Sequence, residues 1–255
     1  MQDPRQECPT AGTRGQEPLG GGSGNGYVPR HSPGAAAPPI PSPTTHTVSE
    51  TPDIHAIIPL SLLEAMRNID TPVDDGLNEL AEEMVSKRLG LSATVAAQIE
   101  RYRRAAVRDG SVGGDEGVSV FRLVGRRPDA ALVFADAGRR AARYAARRAP
   151  SLTRALIRVT PGPLRRRLGF RAAQQVARHV LTADMQQRDG AAAVEMRESL
   201  ATRAGAESGC YFYSHAFAEL LRVLGGFEGA MAHGACRVRG DSACTWRATR
   251  AEGYE

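Results

Sequence analysis

The chain is almost without lysine. Lys87 is the only one, and arginine carries the rest of a formal charge of +5 over 255 residues. Aromatic residues make up 5% of the sequence, with a single tryptophan. No stretch reaches the roughly 20 apolar residues of a membrane-spanning helix. No apolar run follows a basic start, so nothing reads as a secretory signal, and the expected location is cytoplasmic. Catalytic signatures are missing too. The sequence has no G-x-G-x-x-G, no Walker loop, no G-x-S-x-G and no H-E-x-x-H. The glycines of Gly20–Gly26 follow no strand and do not fit the dinucleotide pattern.

The first 50 residues have almost no large apolar side chains. They hold nine of the 16 prolines and eight of the 27 glycines. Such a segment cannot bury enough surface to offset the entropy of ordering it. Residues 1–52 are therefore expected to be a disordered tail, with Cys8 an idle thiol within it. Residues 53–255 are expected to form one domain, with a helical N-terminal part over 53–110.

Cysteine is scarce, but three of the four lie close to the C-terminus. Cys210, Cys236 and Cys244 read C-x25-C-x7-C, and His233 precedes the middle one in H-G-A-C. Thiolate sulfur and imidazole nitrogen suit a tetrahedral zinc ion. Inert core packing is the competing reading, because free cysteines are among the most buried residues. A disulfide would need an oxidising compartment.

Helical spacing predicts helices over Pro59–Asn68, Pro72–Leu89, Ser92–Val107, Pro128–Arg148, Pro163–Thr182 and Tyr211–Leu224. Ser92 is a natural N-cap. Asp109–Gly117 reads as a glycine-rich loop, and Val118–Val124 alternates like a strand. Ala192–Met196 is a second expected strand. A hairpin pairing Gly229–Arg237 with Ala243–Thr249 turns at Arg239-Gly240-Asp241-Ser242. The expected class is α+β, with helices packed on a small antiparallel sheet.

Twelve arginines and no acidic residue lie between Arg139 and Arg178. The stretch reads either as an anion-binding surface or as the solvated face of two amphipathic helices. No aromatic platform accompanies it, which disfavours nucleic acid. The Leu89-Gly90-Leu91-Ser92 joint imitates a helix-turn-helix, but its arginines fall in the wrong half of the second helix. His215 and Glu219 stand four apart and could pair on one helix face.

The segment from Gly209 to Ala248 resembles the 4-vinyl reductase domain family. Cys210-Tyr211-Phe212-Tyr213 opens its helix. Cys236, the Arg239-Gly240-Asp241 turn, Cys244 and Trp246 follow in the family's order. The resemblance is strongest over Asp189–Thr249, with the domain core at 189–250. It extends weakly upstream to the helix at Gly138-Arg139-Arg140. It implies the ligand-binding fold shared with NO-signalling and Golgi-transport proteins, and a bacterial, zinc-containing module. The related phenol-sensor domains hold zinc with three cysteines and a carboxylate. Here His233 stands at the carboxylate's position. The implied metal ligands are Cys210, His233, Cys236 and Cys244, and the ion is structural.

The implied partner is an apolar or aromatic small molecule, with Tyr213, Phe217, Phe227 and Trp246 as candidate lining residues. A homodimer is left open. The resemblance also implies two alternatives. One is a reductase or auxiliary factor acting on tetrapyrroles in bacteriochlorophyll synthesis. The other is a protein-interaction scaffold like the vesicle-tethering subunits.

Overall fold

A computed structural model describes residues 51–71 and 89–250, all within one compact unit, Thr47–Glu255. The expected tail and the helix over Pro72–Leu89 lie outside the described residues, apart from Leu89 and the last residues of the tail range.

Helix α1 (Ile57–Asp70) is apolar on nearly every side. Ile57, Ile58, Leu60, Leu62, Leu63, Ala65 and Met66 are all buried. A helix hydrophobic all round belongs inside, and α1 packs against the helices Ala93–Val107, Gly114–Gly125, Ala130–Arg148 and Gly162–Leu181. Short strands β1 (Ile54–His55) and β2 (Ser111–Val112) pair antiparallel at its N-terminal end. Helix α2 (Ala93–Val107) starts where Ser92 accepts the Val95 N–H, and it buries Val95, Ile99 and Tyr102 as its spacing predicts.

Helix α3 (Gly114–Gly125) replaces the expected strand over Val118–Val124 and the end of the expected loop. Its buried residues are Gly114, Gly117, Val118, Val120, Phe121 and Val124. Counted from Gly114, that pattern has the period of a helix; counted only from Val118, it alternates. Asp115 and Glu116 in the first turn favour the helix dipole. Gly114 and Gly117 let the helix lie against Thr51 and Ile54, where any Cβ would clash.

Helices α4 (Ala130–Arg148), α5 (Ser151–Val159) and α6 (Gly162–Leu181) follow in sequence. After β3 (Met185–Arg188) and β4 (Ala191–Met196) come the short α7 (Leu200–Ala204), α8 (Cys210–Gly225), β5 (Gly229–His233) and β6 (Cys244–Arg250). The last four strands form one antiparallel sheet in the order β3-β4-β6-β5. Helices α5 and α7 and strand β3 are elements the sequence pattern did not signal.

Helix α8 is the hinge of the arrangement, touching β5 as well as α4 and α6. Two glycines set how close these helices come. A Cβ on Gly138 of α4 would strike the carbonyl oxygen of Phe212, and one on Gly169 of α6 would strike that of Leu224. The structure is thus mixed: helices with small antiparallel sheets.

Candidate metal centre

Four elements converge on one point. Cys210 is the first residue of α8, reached through a 3-10 turn at Glu207–Gly209. His233 is the last residue of β5, and Cys244 is the first of β6. Cys236 precedes a second 3-10 turn at Arg237–Arg239.

The turn between the strands is held by its own hydrogen bonds. The Cys236 N–H donates to Asp241 Oδ2 at 2.6 Å, and the Arg239 N–H donates to the Cys236 carbonyl at 2.9 Å. Gly240 sits at φ +105, a backbone state that L side chains avoid. The Ala235 N–H donates to Thr245 Oγ1 at 3.0 Å. The Arg-Gly-Asp turn therefore positions Cys236, and Asp241 acts by receiving its amide.

The resulting group is compact. One ligand atom from each of Cys210, His233, Cys236 and Cys244 lies within 4.8 Å of every other. Cys210 Sγ stands 3.9 Å from Cys236 Sγ and 4.0 Å from Cys244 Sγ. A disulfide needs ~2.05 Å, so these are free thiols. A tetrahedron with metal–sulfur bonds of ~2.3 Å has sulfur–sulfur edges of ~3.8 Å. The spacing therefore fits a shared metal ion.

Two further observations agree with that fit. His233 Nε2 is buried and has no hydrogen-bond partner among the described residues, a cost that proteins seldom leave unmet and that coordination removes. All three cysteines are buried. Burial, reinforced by the neighbouring sulfurs of Cys244 and Cys236, pushes the Cys210 thiol far up. Burial also raises Cys244, against a backbone N–H from Arg237 donated to its sulfur at 3.4 Å. Burial lowers His233, with Arg239 adding to the effect. Neutral thiols at Cys210 and Cys244 and a neutral imidazole at His233 are therefore favoured without an ion. A dication reverses that preference for the thiols and finds the imidazole already in its ligating form.

The candidate ligand-lining residues take different positions. Tyr213, Phe217 and Trp246 are fully buried and Phe227 is half-buried. The Trp246 ring lies 5.7 Å from Tyr213 and 5.6 Å from Phe217. The Tyr213 hydroxyl accepts the Leu200 N–H at 3.2 Å. Two described cavities lie elsewhere: one of about 100 Å³ between α4, α5 and α6, and one of about 290 Å³ beside Glu64 and Tyr144. Neither is lined by these aromatics.

His215 and Glu219 stay apart in their bonding. His215 Nδ1 faces Arg139 at 3.4 Å. Glu219 is buried between Arg143 and Arg222, each 2.7 Å away, and these guanidiniums hold its carboxyl down to about 2.

A second group, His55, Asp109 and His179, has no sequence signature because its members lie far apart along the chain. His55 Nδ1 accepts the Ile57 N–H at 3.1 Å, so Nε2 carries the proton and donates to Asp109 at 2.9 Å. Arg148 also pairs with Asp109, and His179 reaches it at 3.2 Å. This is a hydrogen-bonded knot around a carboxylate, depressed to about 2 mainly by the His55 bond.

Comparison of the chain with family models, curated proteins and solved structures returned no match.

Proposed function

We propose that this protein is a zinc-stabilised, non-enzymatic binding domain of the 4-vinyl reductase type, working in a reducing, cytoplasmic setting. The observation that carries the reading is the closed Cys3His group: sulfur spacing that fits a tetrahedron, with a buried imidazole nitrogen that has no hydrogen-bond partner among the described residues. Zinc favours this donor set and has no geometric demand that four mixed ligands would violate. Four protein donors fill the shell and leave no position for an activated water, which makes the ion structural. It would tie the start of α8 to both strands of the last hairpin.

The ligand we infer is apolar or aromatic. Support comes from the continuous ring layer of Phe212, Tyr213, Phe217 and Trp246. That layer is joined to the metal group by the stack of His233 on Trp246, 5.1 Å between centroids. Such a ligand would enter by displacing ring contacts, and half-buried Phe227 is the candidate lining residue outside that layer.

Elemental analysis of protein purified without chelator should give one zinc per chain. Hydrophobic compounds should raise Tm, as any ligand selective for the folded state must, and Phe227→Ser should reduce that rise without releasing zinc. No metal would refute the centre. Metal without a thermal shift from aromatics, lipids or tetrapyrroles would refute the ligand and favour an interaction scaffold.

A further inference from the structure

Most of the arginines on α4 are spent inside the fold. Arg139 and Arg140 pair with Asp136, Arg143 with Glu219, and Arg148 with Asp109. Arg178 at the end of α6 pairs with Asp184. Those on the first half of α6 differ. Arg165, Arg166, Arg167 and Arg171 are exposed and form no ion pair among the described residues. On α5, Arg154 Nε is buried with no hydrogen-bond partner among the described residues.

The same corner carries an apolar stripe turned outward. Leu152 is 83% exposed, Leu156 51%, Val159 79% and, across the turn, Leu164 53%. Leu152, Ala155, Leu156 and Val159 follow an i, i+3, i+4, i+7 order and cover an arc of about 100°. Ile157 faces the other way and is buried, fixing the helix to the domain with the stripe outermost. A helix in a folded domain ordinarily turns such a stripe inward. Contiguous exposed apolar surface marks a contact face.

We propose that α5 and the start of α6 form a docking face for an anionic membrane surface. A short helix lying flat, with leucines on one side and exposed arginines beside it, matches the physics of interfacial binding. Apolar side chains enter the acyl boundary while guanidiniums meet lipid phosphates and carboxylates. Charge decides against the competing occupants. A second copy would bring the same exposed arginines face to face across a two-fold axis. A nucleic acid would meet aliphatic side chains where stacking rings are needed. The proposal does not depend on the metal centre.

The test is flotation of the full chain with vesicles of phosphatidylcholine alone, or with about three-tenths phosphatidylserine added. The protein should float with the anionic vesicles only, and less so at high salt. Arg165→Gln/Arg166→Gln/Arg167→Gln should weaken partition roughly a hundredfold, at about fivefold per arginine. Leu152→Ser/Leu156→Ser should weaken it at least about tenfold. Both variants alter exposed side chains, so unchanged circular dichroism and metal content should show that they fold. Failure to float with anionic vesicles overturns the proposal. So does flotation indifferent to the leucine changes, which would mean adhesion by charge alone. A dimer in analytical ultracentrifugation that the leucine changes dissolve would also overturn it, and assign the face to self-association.

Discussion

Replacing cysteines singly and in pairs separates a metal centre from a packed core. Cys210 and Cys236 are both buried, with sulfurs 3.9 Å apart. If they only fill space, Cys210→Ala and Cys236→Ala each remove one sulfur atom's packing, costing ~1–2 kcal/mol. The double variant then costs roughly the sum, apart from a small coupling term for touching neighbours. If they share an ion, either change breaks the shell, and the loss of the metal should exceed ~4 kcal/mol. The second change should then add only its packing cost, because the metal has already gone. For a unit of this size 1 kcal/mol moves Tm by ~2–4 °C. The metal reading thus predicts ~10 °C or more for either single variant and little further loss for the pair. The core reading predicts ~2–8 °C for each single variant and near-additive losses. Thermal unfolding followed by circular dichroism, with zinc measured on the same samples, gives both numbers. Additive losses in protein that never contained metal would refute the reasoning.

Glu219→Gln should destabilise the protein by ~2 kcal/mol at neutral pH, discounted for the half-exposed arginines. Its carboxyl is depressed to about 2 from an ordinary 4.5, so its stabilisation is present above the unfolded value and is lost as pH falls towards 2. Denaturant melts of the two proteins should converge near pH 2 and differ at pH 7. Gly138→Ala should cost ~1–3 kcal/mol, since α4 must back away from the Phe212 carbonyl. An unchanged Tm would show that this helix contact can relax freely.

Much of the candidate site was legible because its donors are rare residue types close together in sequence. Three cysteines and a histidine within 35 residues needed only a hairpin and a helix start to meet, and both had local signals. Ser92 with Val95, Ile99 and Tyr102 made α2 equally plain. Strand β3 was not legible, because Met185 is its only buried residue and pairing with β4 alone makes Gln186-Gln187-Arg188 extended. Helix α3 was misread because a short window of valines alternates by accident, while its helical period depends on buried glycines that no hydrophobic pattern counts. The Asp109 knot joins residues 55, 109 and 179, and only the tertiary arrangement of β1, α2 and α6 brings them together.

The stack of His233 on Trp246 has an optical consequence. Trp246 is the only tryptophan in the chain, so the indole emission of the whole protein comes from one ring. That ring lies over an imidazole that is a candidate metal ligand, and its Nε1 donates to Ser214 Oγ at 2.9 Å. Any change in the charge or position of the imidazole is therefore felt directly by the fluorophore. The protein carries its own unlabelled reporter: on the proposed metal reading, removal and return of the ion would register in the emission of this one ring, stacked on His233.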